Sequence, residues 1–557
     1  MFNKITITVL LLIGSQLSAQ NSLPALVGQI AAELQRISDD KTTIAQTFHA
    51  DGQKPYRVTF TRTVTDAKGK SNEEKYMFNL ADVDKNSVRW ESSKKALTLN
   101  IRINRNQKFI QTFKNGASNG FTDDLSFLAK GIDNARALKT LFEQAIPLAV
   151  EAWEKDSDLH GKSDAELITL LRQLVGEVNI GSSTRLLQRV GASGDQPDRL
   201  KLTVEEYNGK GLDKKEQFLF NLGDLRANNI QMHIQGPKAY VEASTERNIR
   251  WIMAEEEGKE VSYERAVRFY VSDTDQGQIL SAVLLKLIPY GKEALDKRLP
   301  KAQDAREGLQ MLAKTQQKFN QGNSSYESEL KPDCRCLLSQ IESNDKSTEL
   351  REYGFHFGDL NEKSVVLDIG SKIAQVKVST RGRNNFVHVR KDGQQKSYGN
   401  QVVFLLPDSE HARRFEHLLP FVIEKCQESP AARDFSWLKT ATENLGKSVS
   451  ELSQKLELQS GDPCKWKFTQ TESNDKKSIE TVYEFNVYDL DERAVSIKVS
   501  GIKLLLELKT QGNQKIISRY VNGKPDYTSV VTLQLADLDE VKTAQVTLLE
   551  LLKSCKK

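Results

Sequence analysis

Apolar and polar residues alternate along "YRVTFTRTV" from Tyr56, a stretch rich in aromatic and β-branched side chains, and this pattern predicts a strand. The polar loop "TDAKGKSNEE" turns the chain back into "KYMFNLADV", which completes a hairpin. Shorter runs follow, "SVRWES", "LTLNIRI", "KFIQTF" and "LSFLA", separated by Lys, Asn and Gly. After the last of them the spacing lengthens to a helical period in "ARALKTLFEQAIPLAVEAW". The same order returns at the far end of the chain, from "CKWKFTQTE" and "VYEFNVYDL" through "SVVTLQLA" to "VKTAQVTLLELLKSC".

The recurrence has a marker. "YMFNLADVDK", "FLFNLGDLRA", "YGFHFGDLNE" and "YEFNVYDLDE" place an aspartate at Asp82, Asp224, Asp359 and Asp489. At one constant interval before each motif stand Arg57, Arg199, Cys334 and Cys464, each near Pro55, Pro197, Pro332 or Pro463. The expectation is an α+β chain of four tandem repeats over residues 20–157, 158–300, 301–430 and 431–557. Each repeat is predicted to be a curved antiparallel sheet of about six strands closed by a C-terminal helix. A leading helix is expected before each one, clearest in "SDAELITLLRQLVGEV", where Ser163 and Glu166 have capping-box spacing.

On a strand, Tyr483, Phe485 and Val487 share one face, as a half-buried sheet requires. Phe78, Phe220, Phe355 and Phe485 are therefore expected to be equivalent and buried. The motif aspartate suits a turn, where its side chain bonds nearby backbone N–H groups. A metal site is the alternative, but the second acidic position varies (Asp84, Arg226, Asn361, Asp491) and calcium requires more oxygen ligands close by. The motif reads as scaffold. Pro147, Pro289 and Pro420 fall inside the closing-helix patterns, where proline predicts a kink or a split into two helices.

A strand meander closed by one amphipathic helix resembles the pleckstrin-homology-like superfold, most closely at "VVFLLPDSEHARRFEHLLPFVIE", with Phe415 on the apolar face of the helix. The resemblance implies a fold and no activity. Phosphoinositide-binding members use basic residues around the first hairpin loop, and here those loops mix both signs, as in "ESNDKSTELRE".

Composition narrows the setting. The chain has 79 Lys and Arg against 75 Asp and Glu, a formal net charge of +4, which gives no drive toward nucleic acid or anionic membrane. "MFNKITITVLLLIGSQLSAQ" combines Lys4, a short apolar run and small residues before a polar start, and predicts a signal peptide over residues 1–19. No later run is apolar enough to span a bilayer, so a periplasmic or secreted protein is expected. The seven histidines are scattered, and no zinc, nucleophile-elbow, P-loop or dinucleotide motif occurs. No catalytic residue, metal or cofactor is assigned. One basic hairpin gathers Arg381, Arg383, His388, Arg390 and Lys391, and is either a polyanion-binding face or a charged edge that discourages strand aggregation. The second reading is preferred.

Cys334 and Cys464 open the first strand of repeats 3 and 4, and Cys426 and Cys555 end their closing helices. Repeats 1 and 2 lack both partners together, with Arg57 and Arg199 at the strand position and Trp153 and Leu295 near the helix position. Paired presence and paired absence predict Cys334–Cys426 and Cys464–Cys555 in an oxidising compartment, with Cys336–Cys426 as the alternative to the first. Cys336 is expected to be a small buried thiol, since Trp466 occupies its place in repeat 4. The functional expectation is an exported, non-catalytic binding or assembly protein whose partner is a protein or cell-envelope component. The alternative is a hydrolase or transferase with a site at a junction between repeats.

Overall fold

The computed structural model describes residues 22–556, apart from 35, 39–41, 93–95, 181–183, 258, 260, 371–372, 449–451 and 475–476. The expected signal peptide, residues 1–19, lies outside the described residues. The chain divides into two compact units, one ending at Arg298 and one beginning at Leu299, close to the boundary expected near residue 301. Each unit contains two of the four expected segments, numbered 1 to 4 below, and the units are treated separately.

The fold is α+β, with antiparallel sheets and eight helices among the described residues: α1 (Leu23–Glu33), α2 (Ile132–Asp156), α3 (Asp164–Leu174), α4 (Thr274–Arg298), α5 (Ala305–Thr315), α6 (Ser409–Lys425), α7 (Phe435–Ser448) and α8 (Leu538–Cys555). None of them is long and apolar enough to cross a membrane. The leading helices α1, α3, α5 and α7 and the closing helices α2, α4, α6 and α8 fall where the periodicity places them. Ser163 and Glu166 form the expected capping box on α3.

Each segment has two sheets where one was expected. In segment 1 a six-stranded sheet runs from Ile37–Ser38 to Ala117–Thr122, and Arg89–Ser92, Leu97–Arg102 and Asp124–Ala129 form a second sheet of three. Segments 2 and 3 repeat the six-plus-three arrangement, and segment 4 has five plus three. Sequence reading missed the strands before the first hairpin, such as Thr42–Ala50 and Thr184–Ser193, which pair along the outer side of the hairpin. The split into two sheets occurs at the motif itself. Asn79 accepts a hydrogen bond from Ala81 N–H (2.9 Å) and starts a short 3-10 turn, after which the chain leaves the first sheet. Asp84 then accepts from Asn86 N–H (2.9 Å) and caps a second such turn.

His356 and Asn486 take the first capping role in segments 3 and 4, and Asn361 and Asp491 the second. Asp and Asn cap equally well, which accounts for their exchange at that position. Segment 2 has Arg226 there, and an arginine has no acceptor to offer. In that segment the second turn is absent and a strand runs straight through Leu225–Gln235.

Phe78, Phe220, Phe355 and Phe485 are all buried, as expected. Gln46, Gln188 and Gln454 each bond both backbone groups of one residue in the last strand of the smaller sheet: Leu128, Tyr270 and Gln534. Gln340, on the neighbouring strand, reaches Val403 O in segment 3. A buried amide can satisfy an N–H and a C=O together, so this residue bridges the two sheets where no ladder does.

Of the two outcomes expected at the prolines, a kink or a split, the split does not occur. Pro147, Pro289 and Pro420 each lie inside one continuous helix, with no split. Proline forfeits one helical hydrogen bond, but its neighbours Ile146 and Ala149, or Leu419 and Val422, are buried on the same side, and packing holds the helix together.

Candidate functional site

The hairpins of segments 1 and 2 contain one residue more than those of segments 3 and 4, and this shifts the equivalences read from spacing. Leu80, Phe357 and Val487 donate their N–H to the carbonyls of Tyr56, Cys334 and Cys464, all at 2.8 Å. Tyr56 therefore stands where the cysteines stand, and the register of segment 2 puts Asp198 there. Arg57 and Arg199 match Arg335 and Lys465 instead, each lying across from the motif's Asn or His.

The corrected alignment shows four staples between the start of the first strand and the end of the closing helix. Cys334–Cys426 and Cys464–Cys555 are disulfides, as expected, with Cα atoms 5.5 and 5.7 Å apart. In segment 1 the Tyr56 ring packs edge-on to Trp153 (5.4 Å) and its hydroxyl donates to Asp156 (3.0 Å). In segment 2 Arg298 forks onto Asp198 at 2.5 and 2.6 Å. Cys336 remains a free, buried thiol, pushed up to about 12 chiefly by burial, so it carries no thiolate to react. Trp466 occupies its strand position in segment 4, opposite Phe485 as Cys336 is opposite Phe355.

The motif aspartate does not serve the turn in segments 1 and 3. It reaches into the next segment. In the first unit Asp82 accepts from Gln278 on α4 (3.0 Å), while Asn79 donates to Asp275 (3.1 Å). Arg57 meets Asp273 and lies 2.9 Å from Asp275 Oδ2, close enough for an ion pair but outside hydrogen-bond alignment. In the second unit the same positions pair again: Asp359 with Lys542 and Arg335 with Asp539 on α8. In segment 2 Asp224 instead accepts from Asn221 within its own motif (3.0 Å).

Beside the second of these junctions lies a cleft of about 970 Å³, whose lining includes His356, Phe386, Glu428, Pro430, Ile497 and Lys542. Lys542 also sits over the Phe386 ring at 5.1 Å. His356 Nδ1 accepts from Gly358 N–H (3.1 Å), so the proton of the neutral ring is on Nε2. Burial lowers its pKa, with Asp359 opposing that trend. A neutral imidazole that presents only N–H to the cleft donates a hydrogen bond there and cannot take a proton.

The basic hairpin is largely committed to internal contacts. Arg381 bonds Leu360 O and Glu362 (3.1 and 3.2 Å), and Lys391 pairs with Glu349 (2.7 Å). His388 lies against Tyr398, while Arg390 is exposed across the ladder from Glu352. Arg383 holds a left-handed turn (φ 56°). The five residues thus fall on one turn and one strand. No family model, curated protein or solved structure matches this chain.

The first junction should respond to pH. Burial pushes the Asp82 carboxyl up to about 7, against the Gln278 hydrogen bond, and Asp275 up to about 6, against Arg57. The folded chain therefore keeps protons that an unfolded chain, with carboxyls near about 3.9, has already released. This stabilising contribution is complete below the unfolded value and is lost as pH rises through the folded values. The thermal midpoint of the first unit is expected to fall between about pH 4 and pH 7. Asp82→Asn should flatten that slope and raise the midpoint at the alkaline end; an unchanged slope in this variant would count against the assignment.

Proposed function

We propose that this is an exported, non-catalytic binding or assembly protein built from four diverged copies of one pleckstrin-homology-like unit. The observation that carries the reading is the junction made twice. In each compact unit the motif face of one segment receives the first turn of the next segment's closing helix, through a base on Asp and the motif Asp on a donor. A device reused in this way is what an assembly scaffold needs. The two disulfides fit an oxidising compartment.

The cleft in the second unit gives the hydrolase reading its best case, because His356, Asp359 and Asp539 all line it. Both carboxylates are already ion-paired there and the histidine offers only a donor, which favours binding over proton transfer. Acidic, basic and apolar groups together suit a peptide or another ligand that carries both charge signs.

A photo-crosslinking residue at Phe386, with a control at the exposed Leu212, tests the proposal in intact cells. A discrete adduct from position 386 alone is expected. Turnover of an ester, peptide or glycoside panel that is lost in folded His356→Gln would replace the binding reading with the enzymatic one.

A further inference from the structure

The junction follows a two-residue code that all four segments carry. One half is on the motif face: a base at the start of the first strand (Arg57, Arg199, Arg335, Lys465) and the motif aspartate (Asp82, Asp224, Asp359, Asp489). The other half is on the closing helix. Counting from the residue that precedes each helix, the second position is acidic (Asp133, Asp275, Glu410, Asp539) and the fifth is a donor (Arg136, Gln278, Arg413, Lys542). In the two junctions observed, the strand base meets the acid at the second helix position. The motif aspartate meets the donor at the fifth.

Two halves of this code stand exposed. At the start of α2 the Asp133 and Arg136 side chains are 98% and 66% exposed and pair with each other (3.3 Å), beside an Ile132 that is 52% exposed. On the motif face of segment 4, Lys465 is 56% exposed, its nearest carboxylate being Asp462 at 3.8 Å. Tyr488, next to Asp489, is 52% exposed where segments 1 and 3 have Ala81 and Gly358. The charges are complementary in the observed order, Lys465 to Asp133 and Asp489 to Arg136. An exposed aromatic and an exposed isoleucine flank the pairs, the composition of an interface anchor.

We propose that a second copy of this chain is the partner: the start of α2 in one molecule docks on the motif face of segment 4 in the next. This rests on the reading of the chain as an assembly protein and names its partner. The contact is heterologous, head to tail, so each molecule that docks presents a fresh face and growth continues until a ring closes.

Sedimentation velocity of the mature chain at low ionic strength, over a wide concentration series, tests this. The wild type should form species larger than a dimer, and these should shrink as salt screens the pairs. Asp133→Lys alone and Lys465→Glu alone should each weaken association at least ~10-fold and sediment as monomers. Both positions are exposed, and circular dichroism verifies that each variant folds. An equimolar mixture is decisive, because the Asp133→Lys molecule keeps an intact segment 4 face and the Lys465→Glu molecule keeps an intact helix start. The other contact in the mixture carries the same pair with both signs reversed and is complementary as well, so the mixture should associate and grow past a dimer. A wild type that stays monomeric, a symmetric dimer that grows no further, or a mixture that remains monomeric would each overturn the proposal. None of these outcomes bears on the binding cleft, which the crosslink at position 386 tests separately.

Discussion

Replacing Cys464 and Cys555 together by serine should lower the stability of the second unit by about 4 to 5 kcal/mol, the loop-entropy value for a closure of this length. The bond spans 91 residues, and both cysteines are only half-buried, so little packing is lost with the sulfurs. For a unit of this size that corresponds to a fall of roughly 10 °C in its thermal midpoint. The first unit is the internal control, because all five cysteines lie beyond Leu299. Reductant should therefore move one calorimetric transition and leave the other in place. A pair of transitions indifferent to reduction, or a Cys426–Cys464 peptide in a non-reducing map, would contradict the assigned pairing.

Arg298→Ala should destabilise the first unit by about 3 to 5 kcal/mol, because it strands a buried charge. Asp198 is 1% exposed, and the Arg298 guanidinium is the cation that meets both of its oxygens. Removing the arginine leaves the carboxylate without water and without that counter-charge. Removing both charges is a different experiment. Asp198→Leu with Arg298→Met should recover most of the loss, since an apolar pair of similar volume avoids the desolvation cost. Urea unfolding of the two variants separates these outcomes. Equal instability in both would mean that the site depends on shape and not on charge compensation.

Much of the architecture was legible in the linear pattern. Strand alternation and helical period located the hairpins, the leading helices and the closing helices, because those periodicities arise from backbone geometry that each residue carries locally. The buried phenylalanines and the capping box were readable for the same reason. The disulfide pairing was legible too, because two cysteines that appear and vanish together from segment to segment leave a record in the sequence. What the sequence could not convey is which residues face which across space. One extra residue in the hairpins of segments 1 and 2 moved Tyr56 and Asp198 into the cysteine position, and a gapless interval concealed that shift. The strands from Thr42 and Thr184 were missed, and it is pairing with a strand on either side that defines them. The motif aspartate looked like turn chemistry because Asp is common in turns. Its side chain was claimed by a helix almost two hundred residues away, as Asp82 is by Gln278, and only folding brings that helix within hydrogen-bond reach.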